Sequence, residues 1–262
     1  MPGPATVEIC PVSAETIHTD DAGLIAGEVQ IPVADGKIPA YRAYPAEGHG
    51  PFPTVVVIQE IFGVHEHIKD LCRRLAKLGY FAISTELYAR QGDVSKLSDI
   101  NEIITKVVAK VPDEEVLSDL DQTVEFARST GVADTSRLAV TGFCWGGRAT
   151  WLYAAHNPHV KAAVAWYGLL APPMWNPKSA SVFSVVPKVK APVLALFGER
   201  DTFIPSSDVD KLRAELKGST SEVRVYPGAQ HGFNADYRPS YDPAAAKDAW
   251  ARMLAWFKAN GV

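Results

Sequence analysis

Apolar residues change their period several times along the chain, and each change marks an element. Thr54–Gln59 (TVVVIQ) is a continuous run rich in β-branched residues, as expected of a strand buried on both faces. In His67–Leu78, the residues Ile68, Leu71, Cys72, Leu75 and Leu78 recur at helical spacing, and Gly79 stands where a helix would stop. Phe81–Thr85 reads as the next strand. Two helical stretches follow, near Ser95–Lys110 and over Asp113–Ser129. In the second, Leu117, Leu120, Val124 and Ala127 make one face. Arg137–Phe143 reads as a strand, Trp145–His156 as a helix, Lys161–Tyr167 as a strand and Pro172–Lys190 as a long loop or broken helix. The pattern closes with a strand at Pro192–Phe197, a helix at Ser206–Lys217, a strand at Glu222–Tyr226 and a helix at Pro243–Asn260. The last helix turns Ala246, Trp250, Met253, Leu254 and Phe257 inward.

Ahead of these, Gly27–Ile31 and Ile38–Tyr44 flank Asp35-Gly36 and read as a β-hairpin. Residues 1 to about 22 are irregular and rich in small residues, and read as an N-terminal arm to one domain spanning 23–262. Strands alternating with helices predict an α/β fold with a mostly parallel sheet of about eight strands flanked by helices. The hairpin adds an antiparallel edge. Ligands bind at the carboxyl ends of the strands in such sheets, so the residues just past each strand are the informative ones.

Composition narrows the function class. The 262 residues are 47% hydrophobic and 21% charged, with a net charge of -4. That suffices for one packed core and argues against disorder. No dense Lys/Arg cluster offers a footprint for nucleic acid. The three cysteines, Cys10, Cys72 and Cys144, are too few and odd in number for a disulfide framework. Free thiols fit a reducing compartment, and Met1–Pro11 shows no signal-peptide pattern, so a cytoplasmic location is expected. No apolar run is long enough to span a bilayer.

The candidate chemistry begins after Arg137–Phe143, at Gly142-Phe143-Cys144-Trp145-Gly146-Gly147. This is the Gly-x-nucleophile-x-Gly turn with Cys in place of Ser. A nucleophile on a sharp strand-to-helix turn needs small neighbours, which the glycines supply. Pro192–Phe197 runs into Gly198-Glu199-Arg200-Asp201, where a carboxylate could orient a histidine. Asp201 is preferred and Glu199 competes. Glu222–Tyr226 runs into Pro227-Gly228-Ala229-Gln230-His231. Nucleophile, acid and histidine therefore follow successive strands in the α/β-hydrolase order. His18, His49, His156 and His159 lack such a context. His65 and His67 are two apart and share no helix face, so a metal site is not expected.

The elbow, together with Gln59-Glu60-Ile61-Phe62-Gly63 after one strand and Leu87-Tyr88-Ala89-Arg90 after the next, resembles the dienelactone hydrolase family. The resemblance runs from about Gly27 to the last helix. It implies an α/β-hydrolase fold and a Cys144, Asp201, His231 triad, with no cofactor. It further implies that Glu60 holds the Cys144 thiol at rest and takes its proton when substrate binds. The backbone N–H groups of Ile61 and Trp145 would form the oxyanion hole, and Arg90 would bind a substrate carboxylate. The family's second arginine, shortly after the histidine, is missing from His231-Gly232-Phe233-Asn234-Ala235, and Arg238 lies further on. Tyr167 follows a strand and could line the pocket.

The expected activity is therefore hydrolysis of a small lactone or ester through a thioester, by a monomer or homodimer. No nucleic-acid or membrane partner is expected. Two alternatives use the same residues: a non-catalytic binder or thiol sensor built on Cys144, and an acyltransferase.

Overall fold

The computed structural model describes residues 16–262. Cys10, Met1–Pro11 and most of the arm lie outside the described residues. The hairpin forms from β1 (Leu24–Val33) and β2 (Gly36–Pro45), paired antiparallel with Val33 opposite Gly36. The register leaves a two-residue turn at Ala34-Asp35.

Then come β3 (Phe52–Ile58), α1 (Glu66–Lys77), β4 (Phe81–Thr85), α2 (Ile100–Lys106), α3 (Asp113–Ser129), β5 (Ala133–Phe143) and α4 (Trp145–His156). The chain ends with β6 (Val160–Trp166), α5 (Val182–Val185), β7 (Val193–Gly198), α6 (Ser206–Glu215), β8 (Glu222–Tyr226) and α7 (Pro243–Ala259). All eight strands form one sheet in the order β1-β2-β4-β3-β5-β6-β7-β8. β2 pairs antiparallel with β4, and the pairs from β4 through β8 are parallel. This is an α/β-hydrolase sheet with its hairpin at the edge.

The central strands carry the core. Val55, Val56, Val57 and Ile58 of β3 and Leu138, Ala139 and Val140 of β5 are at most 1% exposed. That agrees with a strand covered on both faces. α1 packs on β2 and β4, α4 on β5 and β6, and α7 on β6 and β7. No described helix is long and apolar enough to cross a membrane.

Two elements differ from their sequence pattern. The stretch expected as one helix near Ser95–Lys110 is split into a 3-10 turn at Val94–Lys96, α2, and a second 3-10 turn at Val108–Lys110. The Asp93 and Asp99 carboxylates each accept a backbone N–H, from Ser95 and from Glu102, and so start two separate segments. In α3 the buried face is Val116, Asp119, Leu120, Thr123 and Ala127, while Leu117 and Val124 are only partly covered. Hydrophobicity alone misplaces this face because two of its buried positions are polar and satisfied. Asp119 meets Arg90, and the Thr123 hydroxyl meets that of Thr85 at 2.7 Å.

Candidate active site

The turn between β5 and α4 is a strained one. Cys144 has φ 55° and ψ -114°, a region that residues with a Cβ rarely enter. Its N–H donates to the Trp166 carbonyl at 3.0 Å, and its own carbonyl accepts the Gly147 N–H at 3.0 Å. Both neighbouring elements thus fix the turn, the usual condition for keeping such strain. Gly146 lets α4 start hard against the end of β3. A Cβ there would strike the Gln59 carbonyl oxygen and come within 2.5 Å of that of Ile58. The elbow therefore rests on the strand from which Glu60 follows.

Asp201 and His231 come from the ends of β7 and β8, and both are buried. His231 Nδ1 lies 2.8 Å from Asp201 Oδ2, and Asp201 Oδ1 accepts the Phe203 N–H at 2.8 Å. Glu199, the competing acid, accepts the Gly228 N–H at 2.8 Å and so braces the turn after β8. The His231 ring meets Tyr167 and Phe203 edge-on, with centroids 5.2 and 5.0 Å apart. Burial would lower its pKa. Against an ionised Cys144 sulfur, the sulfur and the Asp201 carboxylate together outweigh burial and raise it to about 10.

Glu60 is 1% exposed. Its Oε2 accepts the Tyr237 hydroxyl at 2.6 Å and lies 3.4 Å from His65 Nε2. Its Oε1 is buried and has no hydrogen-bond partner among the described residues. Burial pushes this carboxyl upward, but the His65 contact and the positive fields of His65, His67 and Arg238 bring it down to about 2. Tyr167 and Arg238 each lie within the fields of both Glu60 and Cys144. Trp145 opens α4, so its N–H lacks an intrahelical acceptor. Neither the Ile61 nor the Trp145 N–H donates a hydrogen bond among the described residues.

Arg90 differs from its expected use. Its guanidinium donates to both oxygens of Asp35 at 2.7 and 2.8 Å, and to both of Asp119 at 2.7 and 3.1 Å. The hairpin turn and α3 thus consume the fork that was expected to bind a substrate carboxylate. Arg238 takes a different position. Three successive tight turns, closed by Ala235 N–H to Gly232, Arg238 N–H to Ala235 and Tyr241 N–H to Arg238, fold the chain back. They bring its guanidinium 5.8 Å from the Phe62 ring centroid and beside Gly232, whose φ is +76°. Arg238 has no ion-pair partner within 4 Å among the described residues.

Sequence reasoning missed Tyr237 and considered His65 only as a metal ligand. Tyr167 was noted only for following a strand. It is fully buried at φ 37°, with a hydroxyl that has no partner among the described residues. Nothing in the local pattern marks Tyr237, whose place depends on the turns after His231. Among the described residues no group of three His, Cys, Asp or Glu side chains could hold a metal ion.

Residues 38–261 match the family model described as "Dienelactone hydrolase family". A Methylorubrum extorquens protein described as "Putative carboxymethylenebutenolidase" is 60% identical over 255 residues, covering 96% of this chain and 87% of its own. An Escherichia coli protein of the same description is 49% identical, covering 96% of this chain and 93% of its own. The crystal structure of a "Putative Dienelactone Hydrolase" from Klebsiella pneumoniae is 52% identical. It superposes with a TM-score of 0.86 over 90% of this chain and 98% of that one.

Proposed function

The chain belongs to the dienelactone hydrolase family and is a lactone or ester hydrolase, and from that premise we propose that it acts through a Cys144, His231, Asp201 triad and a thioester intermediate. One observation carries the reading. The strained Cys144 turn shares a site with a buried His231 whose Nδ1 is held 2.8 Å from Asp201 Oδ2.

At rest the thiol is protonated, His231 is cationic and Glu60 is an anion. A free thiol ionises near a pKa of about 8.5, so it needs a proton acceptor. A Glu60 carboxyl held at about 2 is too weak a base for this while its positive neighbours are unopposed. A substrate carboxylate beside Arg238 offsets that positive field and raises the proton affinity of Glu60. The thiol proton then passes to Glu60, and the thiolate attacks the carbonyl carbon. The N–H groups of Ile61 and Trp145 stabilise the oxyanion. Collapse breaks the C–O bond, and His231 gives its proton to the leaving oxygen. The neutral His231 next takes a proton from water, the hydroxide attacks the thioester and the thiolate leaves. Glu60 returns its proton to the sulfur, and the acid product departs.

Arg238, in place of Arg90, anchors a carboxylate on the substrate in this reading. A cytoplasmic setting, where the thiol stays reduced, agrees with it. The test is ring opening of a carboxylated enol-lactone, with trapping of the acyl-enzyme by mass spectrometry. An adduct on Cys144 and loss of turnover in Cys144→Ala are expected. Full activity in that variant would sink the proposal, and transfer to an added alcohol would identify an acyltransferase.

A further inference from the structure

Tyr237 touches the one acid that the proposed chemistry uses for proton transfer, and neither the family match nor the triad gives it a task. Its hydroxyl donates to Glu60 Oε2 at 2.6 Å. Its ring is boxed by His65, His67 and Phe62, with centroids 5.0, 5.3 and 6.3 Å away. The preceding residue, Asp236, ties the same loop to α1 through His67 Nδ1 at 3.1 Å and Arg74 Nη2 at 2.8 Å. Packing and ion pairs therefore hold the hydroxyl in place. It is a group with a fixed direction.

The two oxygens of Glu60 are unlike. Oε2 has the phenol and lies near His65, while Oε1 is buried with no hydrogen-bond partner among the described residues. A buried carboxylate oxygen left bare costs free energy unless something uses it. We propose that Tyr237 is the positioning residue of Glu60, pinning Oε2 so that Oε1 is the oxygen that receives the Cys144 proton. The inference rests on the reading of Glu60 as proton acceptor.

The groups facing Glu60 are Tyr237, His65, His67, Arg238, Tyr167 and Tyr88. Among them Tyr237 supplies a short O–H donor to the carboxylate, and a charge-assisted bond of this kind favours the ionised form. Removing the hydroxyl frees Oε2, lets the carboxylate rotate and makes Glu60 easier to protonate.

Tyr237→Phe keeps the ring in its box and deletes only the donor. The enol-lactone assay, run from pH 3 to 9, is expected to show kcat about tenfold lower with KM within about twofold. The acid limb of kcat/KM should move up by about one pH unit, a tenfold gain in proton affinity. A 3-fluorotyrosine at 237 preserves the shape and strengthens the donor. It should move the same limb downward, and it serves as the test should Tyr237→Phe unfold. A purely structural tyrosine would lower stability without moving the limb, so an unmoved limb overturns the inference whatever happens to kcat. Glu60→Gln separates the two readings. Wild-type activity in that variant removes Glu60 as proton acceptor. An inactive Glu60→Gln beside an unshifted Tyr237→Phe removes only Tyr237.

Discussion

Asp201 divides its carboxylate between two tasks: Oδ2 meets His231 Nδ1 at 2.8 Å, and Oδ1 accepts the Phe203 N–H at 2.8 Å. The second bond fixes the acid, so the first fixes the ring. Asp201→Asn is expected to lower kcat by about 10²–10⁴-fold with little change in folding, because an amide can present the wrong partner to Nδ1. Steady-state kinetics beside a thermal melt check this. A change below about threefold would count against the triad.

The two arginines should fail differently. Arg238→Gln is expected to raise KM about tenfold or more for a carboxylated lactone and to leave a neutral aryl ester nearly unchanged, since the lost guanidinium is an anion contact. Arg90→Gln should cost stability instead. It strands Asp119, whose side chain is 2% exposed, without its cation. The loss should be about 2 kcal/mol, below that of a fully buried pair because Arg90 is partly exposed. Denaturant melts and paired substrate kinetics distinguish the cases.

Gly146 is a packing requirement of the elbow. An added methyl would collide with the ends of β3 at the Ile58 and Gln59 carbonyls, which are backbone and cannot move aside cheaply. Gly146→Ala should lose about 3 kcal/mol or more, or fail to fold. A soluble variant with wild-type melting and activity would show that α4 does not start where described.

Glu60 also sets an acid limit on stability. Its folded pKa of about 2 lies below the ordinary value of 4.5, so between those two the unfolded chain binds more protons than the native one. Stability from this group is present above about pH 4.5 and is lost as pH falls through about 2. The full effect is about 3 kcal/mol. Glu60→Gln should flatten the pH dependence of unfolding across that window. An unchanged slope would mean that the His65, His67 and Arg238 fields do not reach this carboxyl.

The sequence by itself determined the frame of the site. Periods of two and of 3.6 place Cys144, Asp201 and His231 each just past a strand, because strand ends and helix starts are local properties of the chain. α3, α4 and β8 need nothing further to be located. Only the tertiary structure decided who meets whom. Arg90 is spent on Asp35 and Asp119, 55 and 29 residues away, and no local pattern announces that pairing. Asp119 and Thr123 belong to the buried face of α3 because partners elsewhere satisfy them. Three consecutive turns after His231 return Arg238 to the site and set Tyr237 on Glu60. The physical reason is that hydrophobic periodicity encodes burial, a one-body property. Ion pairs and hydrogen bonds between distant residues form only once the sheet has brought their loops to one edge.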